Sequence, residues 1–164
     1  MSPRSMFIMM LVAALAAAGC GGGRGGAQAA RERPVCQDQS TGPAGTHAPI
    51  PAWASVNAPT GLPVRTGVRG DVLGYLFAGR LRAGHPTDPA NKILWYVRQP
   101  RDGAPLEIAA HPKGTAEPVV RSSQPADSGP GEIYPSIVDV PSAGCWTLDL
   151  TWGSNRDSLE LTYL

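Results

Sequence analysis

Residues 145–164 read CWTLDLTWGSNRDSLELTYL, and this stretch decides the fold. Its first half alternates polar residues with large apolar ones, which are Trp146, Leu148, Leu150 and Trp152. Its last residues alternate in the same way, with Leu159, Leu161 and Tyr163 apolar. Because successive side chains of a strand point to opposite faces, each half predicts a strand with one face in the core and one in water. The turn at residues 153–157 predicts a terminal antiparallel hairpin.

Upstream of this hairpin, short runs of β-forming residues alternate with proline and glycine clusters. The predicted strands are residues 52–56, 72–78, 92–98, 106–110, 118–121, 136–140, 145–152 and 158–164. The run at 91–98 is apolar on both sides in its middle, which is typical of a central strand covered on both faces and places Trp95 in the core. With 17 prolines, 20 glycines and no sustained apolar repeat at helical spacing, the chain is predicted to be an all-β sandwich.

The first 20 residues have the order of a secretory signal: Arg4, an apolar run over residues 6–18, and small residues before Cys20. The run is shorter than the roughly 20 residues that span a bilayer, so a cleaved signal is expected. Residues 17–20 read AAGC, which resembles the lipobox of bacterial lipoproteins, with Ala17 in place of the usual leucine. This resemblance implies a diacylglycerol on Cys20 and acyl chains such as palmitate in the membrane. Ordinary cleavage that leaves a free Cys20 thiol is the alternative.

We therefore expect a signal peptide at residues 1–19, a lipid-anchored tether rich in glycine and proline at 20–49, and a β-sandwich domain at 50–164. The expected location is extracytoplasmic, with the membrane as a partner through the lipid. Arg4 is the only charged side chain in the signal, so the chain's 14 basic and 13 acidic residues leave a mature net charge of zero. A neutral chain gives no electrostatic reason to expect a nucleic-acid partner.

Two cysteines, Cys36 and Cys145, remain once Cys20 is lipidated. They are expected to form a disulfide, because the compartment outside the cytoplasm is oxidising. Closing a loop of roughly 110 residues would stabilise the fold by about 4 to 5 kcal/mol in the chain-entropy model. In the alternation of the hairpin, Cys145 lies on the face opposite Trp146. We therefore expect the bridge to clamp the tether onto an edge rather than to cross the core.

Four sequence features carry a resemblance to a known group of proteins. They are Cys36, the run NKILW at residues 91–95, the run IYPSIVDVP at 133–141, and GCW at 144–146. With them the chain resembles uncharacterised bacterial exported proteins and lipoproteins that have an immunoglobulin-like β-sandwich. The likeness covers residues 36–164. It implies the antiparallel immunoglobulin-like fold and the disulfide bridge, and no activity.

Exposed aromatic rings are the candidate ligand-binding residues. Trp53 and Tyr134 lie close to prolines and are predicted to be at the surface, whereas Trp95, Trp146 and Trp152 are predicted to be in the core. Rings of this kind could bind a glycan of the cell envelope, and a protein partner is the other candidate. No cofactor is expected.

Catalytic and metal-binding patterns are weak. No G-x-S-x-G elbow occurs, and no catalytic residue is proposed. His85 and His111 lack metal-ligand spacing in sequence, but loops could bring them together with Asp88 or Asp139. Residues 69–71 spell the adhesion tripeptide RGD, although glycine and aspartate are also common turn formers.

The sequence thus predicts a membrane-anchored, extracytoplasmic lipoprotein that acts as a binding or interaction module of unknown ligand. The alternative is an envelope enzyme or metal-handling protein with a loop-built site at His85 and His111. A third reading is a structural envelope component, which would have no pocket and no exposed aromatic patch.

The lipid anchor gives the first testable prediction. Intact mass of the exported protein should show loss of residues 1–19 and an added lipid, and Cys20→Ser should move the protein from the membrane fraction to the soluble one. The matched control is Cys36→Ser, which should stay in the membrane fraction. An unlipidated wild-type chain would contradict the prediction.

Overall fold

In the computed structural model, the residues described are Cys36, 50–54 and 59–164. The predicted signal peptide at 1–19, Cys20 and, apart from Cys36, the predicted tether at 20–49 lie outside them. The described residues belong to one compact unit. None of their helices is long and apolar enough to cross a membrane.

Eight strands form two four-stranded sheets, accompanied in the described part of the chain by two short 3-10 helices, Ala52–Ala54 and Pro89–Asn91. The strands are β1 (Val64–Thr66), β2 (Val72–Leu76), β3 (Lys92–Val97), β4 (Leu106–Pro112), β5 (Val120–Gln124), β6 (Ile133–Ile137), β7 (Gly144–Trp152) and β8 (Asn155–Tyr163). Sheet 1 has the order β1-β2-β3-β6 and sheet 2 the order β5-β4-β7-β8. All neighbouring strands are antiparallel. The all-β prediction is confirmed.

The path of the chain is that of an immunoglobulin-like sandwich. β2 and β3 pair in sheet 1, the chain crosses to β4 and β5 in sheet 2, and it returns to β6 beside β3. It then crosses again to β7 beside β4 and ends in β8. These Greek-key crossings place β2, β3 and β6 where the immunoglobulin fold has strands A, B and E, and β4, β7 and β8 where it has C, F and G. β1 is an extra edge strand.

The main core fills the space between the sheets. Its largest side chains, each at most 1% exposed, are Trp95, Tyr134, Trp146, Trp152 and Tyr163. Buried indole and phenol groups need hydrogen-bond acceptors, and each of these donates inside the protein. The acceptors are Ser136 Oγ for Trp95 (2.7 Å) and the carbonyls of Ala104 for Tyr134 (2.8 Å), Ser142 for Trp146 (2.9 Å), Gln99 for Trp152 (3.2 Å) and Val138 for Tyr163 (3.1 Å). The predicted core positions of the three tryptophans are confirmed.

The terminal hairpin has the predicted strands but a shorter turn. Trp152 pairs with Asn155, so the turn is two residues, Gly153 and Ser154, instead of residues 153–157. Gly153 has a φ of 56°, a conformation that glycine adopts without strain at the first position of a two-residue hairpin turn. The polar residues after it therefore belong to β8.

Two strand predictions need correction, and one strand was missed. Ala52–Ala54, predicted as part of a strand, is a 3-10 helix. β1 was not predicted, because its three residues are too few to show an alternation. β6 spans Ile133–Ile137 rather than residues 136–140. Pro135 lies inside this strand, where proline is tolerated because β6 is an edge of sheet 1.

A disulfide joins Cys36 to Cys145, as the cysteine count predicts. Cys145 faces away from the core on β7 and pairs across the ladder with Thr162 of the edge strand β8. The backbone N–H of Cys36 donates to Thr162 Oγ1 at 3.1 Å. The bridge therefore attaches residue 36 to the outer face of sheet 2, beside its edge, and does not cross between the sheets.

A buried carboxylate ties the two sheets together. Asp157 lies on β8 of sheet 2 and is only 4% exposed. It accepts hydrogen bonds from the backbone N–H groups of Arg69, Asp71 and Val72, at 2.9, 2.9 and 3.1 Å, where the chain enters β2 of sheet 1. It also accepts one from the N–H of Ser158 at 2.8 Å. These four donors replace the water that the carboxylate loses on folding.

Loss of the disulfide should cost much of the folding free energy. Cys36→Ser should lower the free energy of unfolding by about 4 to 5 kcal/mol, because the unfolded chain is no longer cross-linked over some 110 residues. Denaturant titration under non-reducing conditions measures this. Reduction of the wild type and the double variant Cys36→Ser/Cys145→Ser should show the same loss. An unchanged midpoint would contradict the prediction.

The Asp157 carboxylate should be needed for stability. Asp157→Asn turns one acceptor oxygen into an amide donor facing backbone donors, and it should lower the free energy of unfolding by about 2 to 4 kcal/mol. The control is Asp149→Asn on the same hairpin, where the carboxylate is 54% exposed and lies 3.3 Å from His111 Nε2. Denaturant titration should leave that control within about 0.5 kcal/mol of the wild type. Equal losses in both variants would contradict the assignment.

Candidate functional site

Sheet 1 is buried on its outer face as well as its inner one. A second apolar cluster lies on the outer face, formed by Leu73 and Tyr75 of β2, Tyr96 of β3 and Ala54. Partly buried residues complete it, namely Trp53, Leu62, Val64, Leu94 and Ile133. All five residues of β2 are buried. The prediction of a central strand covered on both faces is correct for β3, and the segment around the first 3-10 helix forms part of the cover.

A groove of about 470 Å³ lies beside Trp53 and Ala54 of this cover. It is lined by Trp53, Ala54, Tyr96, Val97, Arg98, Pro130, Gly131, Glu132 and Ile133. The first 3-10 helix supplies one side, the end of β3 another, and the loop before β6 a third. We name it the Trp53 groove. Its volume lies within the range of sites that bind small ligands.

Arg101 fixes the loop that carries Glu132. Its guanidinium donates to the carbonyls of Ile133 and Gly129 at 2.8 and 3.1 Å, and its backbone N–H donates to Glu132 Oε2 at 2.7 Å. The N–H of Val97 donates to the carbonyl of Glu132 at 3.1 Å, which holds the same loop against β3. This side of the groove is therefore held by several hydrogen bonds before any ligand binds.

Tyr134 is not at the surface, and its predicted exposure is wrong. Its side chain is fully buried between the sheets, and the Arg101 guanidinium lies 5.2 Å from its ring centre. The adjacent proline suggested a surface position, but Pro135 lies inside β6, where alternation turns Tyr134 inward and its neighbour Ile133 toward the groove. Tyr134 therefore lies in the core next to the groove and does not line it.

Trp53 is placed as a binding residue requires. It lines the groove and is only partly buried, unlike the other three tryptophans. Its neighbour in the groove, Tyr96, packs on Tyr75 with ring centres 5.0 Å apart. Burial raises the pKa of both tyrosines, and the nearby Tyr96 adds to the rise at Tyr75. Both rings therefore remain neutral in the physiological range.

Two opposite charges border the aromatic part of the groove. The Arg98 side chain is 58% exposed, and its guanidinium lies 3.8 Å from the Asp71 carboxylate. The Glu132 side chain is 47% exposed and pairs with Arg101 at 3.6 Å. The groove thus offers the apolar face of Trp53, a donor and an acceptor. Sequence reasoning missed these two residues, because nothing in the sequence links positions 53, 98 and 132.

The two histidines have separate surroundings. His85 is exposed, and its backbone N–H donates to Asp139 Oδ1 at 3.0 Å. His111 lies on β4, with its Nε2 3.3 Å from Asp149. Asp88 caps the second 3-10 helix by accepting from the N–H of Ala90 at 2.8 Å.

In the described part of the chain, one group of three or more metal-ligating side chains lies close enough together to share an ion. It consists of Cys36, Cys145 and Glu160, and its two cysteines are bonded to each other. The structure does not bring His85 and His111 into such a group.

The RGD tripeptide at residues 69–71 forms the tight turn held by Asp157. Its aspartate is 16% exposed and accepts from Gln99 Nε2 at 2.9 Å, with Arg98 and Arg69 also nearby. An adhesion motif needs a freely presented aspartate, so the geometry favours the turn reading.

Comparison with known proteins gives one distant likeness. No protein-family model and no curated protein matches the chain. A crystal structure described as a "Putative Lipoprotein from Bacillus anthracis" is similar over 71% of this chain and 98% of that one, with 18% sequence identity and a TM-score of 0.46. A likeness at this level establishes neither a family nor a function.

Proposed function

We propose that this protein is a lipoprotein anchored outside the cytoplasmic membrane through Cys20, and that it acts as a binding module with the Trp53 groove as its ligand site. The signal pattern and the AAGC sequence support the anchor. The bridge between Cys36 and Cys145 agrees with folding in an oxidising compartment.

The observation that carries the binding role is the Trp53 groove itself. It combines a partly buried tryptophan, a tyrosine and two side chains of opposite charge on a hydrogen-bonded sheet. A concave site with apolar walls and a few polar groups is the usual form of a small-ligand site. A purely structural component has no need of such a groove.

The alternative site at His85 and His111 has less support. His85 lies beside Asp139, His111 lies beside Asp149, and no third ligand joins the two histidines among the described residues. Among the described residues, the envelope enzyme or metal-handling reading therefore has no assembled site at these two histidines.

Thermal shift of the full-length protein in detergent tests the proposal. The panel holds envelope oligosaccharides, short neutral peptides, Zn²⁺ and Mn²⁺. We expect at least one organic member to raise the melting temperature, and Trp53→Ala to abolish the rise. The control is Phe77→Ala, which removes another exposed aromatic ring, 4.6 Å from Lys92 Nζ and outside the groove.

Two results would contradict the proposal. A rise produced only by a metal ion and lost in His85→Ala would favour the alternative function. No rise with any member of the panel would favour a structural role.

A further inference from the structure

We infer that the Trp53 groove binds a neutral glycan. This inference rests on the proposed binding function and assigns the chemistry of its ligand. It follows from the charge of the groove, from its aromatic side chains and from the sheet edge beside it.

The charges favour an uncharged ligand that is rich in hydroxyl groups. An anion placed among these side chains would meet the exposed Glu132 carboxylate, and a cation would meet the Arg98 guanidinium. A sugar hydroxyl both donates and accepts hydrogen bonds, so it can use the carboxylate as acceptor and the guanidinium as donor. Neither charge then has to be neutralised by the ligand.

The aromatic side chains favour a ligand with flat apolar faces. Trp53 presents a partly exposed ring to the groove, and Tyr96 beside it, only 8% exposed, is fixed by its contact with Tyr75. Sugar rings present C–H faces that pack on indole and phenol rings, while their hydroxyls point to the rim. Rigid aromatic side chains make this contact at a low cost in conformational entropy.

The neighbouring sheet edge argues against an extended peptide. A peptide gains most of its affinity on a β-protein by adding a strand to a free edge, where it pairs with backbone N–H and C=O groups. The edge strand beside the groove is β6, and Pro135 in its centre has no N–H to donate. A glycan does not need such an edge.

Titration calorimetry with the full-length protein in detergent tests the inference. The probes are chitotetraose and maltotetraose, and tetra-alanine serves as the peptide comparison. We expect saturable binding of at least one tetrasaccharide, about tenfold weaker in Trp53→Ala and weaker in Arg98→Ala, which alters an exposed side chain without touching the core. Phe77→Ala should bind like the wild type.

Tryptophan fluorescence locates the bound sugar. Trp53 is the only tryptophan that is not fully buried, so the sugar should protect it from acrylamide quenching, and Trp53→Phe should lose the quenchable signal.

Three outcomes overturn the glycan inference. They are the absence of tetrasaccharide binding, binding that Trp53→Ala leaves unchanged, and binding of tetra-alanine alone. The last of these, if lost in Trp53→Ala, would leave the proposed binding function standing and replace its ligand.

Discussion

The two-sided burial of sheet 1 is the constraint on which the rest of the structure depends. Strands β2 and β3 carry large apolar side chains on both faces, so packing against sheet 2 buries the side chains of only one face. The outer cluster around Tyr75 and Tyr96 needs a second cover, and the segment around the first 3-10 helix contributes it. A groove with an aromatic side lies beside Trp53 and Ala54 of this cover.

Two charged side chains, Asp157 and Arg101, hold loops in place through hydrogen bonds to backbone groups. Asp157 gathers backbone donors at the entry to β2, and Arg101 gathers backbone acceptors around the entry to β6. Each set of hydrogen bonds satisfies backbone polar groups of a loop and holds that loop in place. The hydrogen bonds to Asp157 hold the RGD sequence in a turn, and the hydrogen bond from Arg101 sets the position of Glu132 in the groove.

The sequence predicted the parts whose periodicity is undisturbed. In residues 146–152 and 157–163 every second side chain is buried, so the pattern alone assigned the two strands and the core positions of Trp146 and Trp152. The sequence prediction failed at two segments next to prolines, because a nearby proline is compatible with more than one local structure. Near residues 52–54 the chain forms a 3-10 helix, whereas Pro135 lies within an edge strand and its neighbour Tyr134 is buried. The groove unites three separate parts of the chain, which no local pattern links.

The central claim is that the ligand site is the Trp53 groove on the outer side of sheet 1. The most direct measurement is amide and indole chemical-shift mapping by NMR on the full-length protein with the tetrasaccharide that binds best. The account predicts that the largest shifts fall on the Trp53 indole and on the backbone of Tyr96, Arg98 and Glu132. Shifts centred instead on the outer face of sheet 2, around His111 and Asp149, would contradict it.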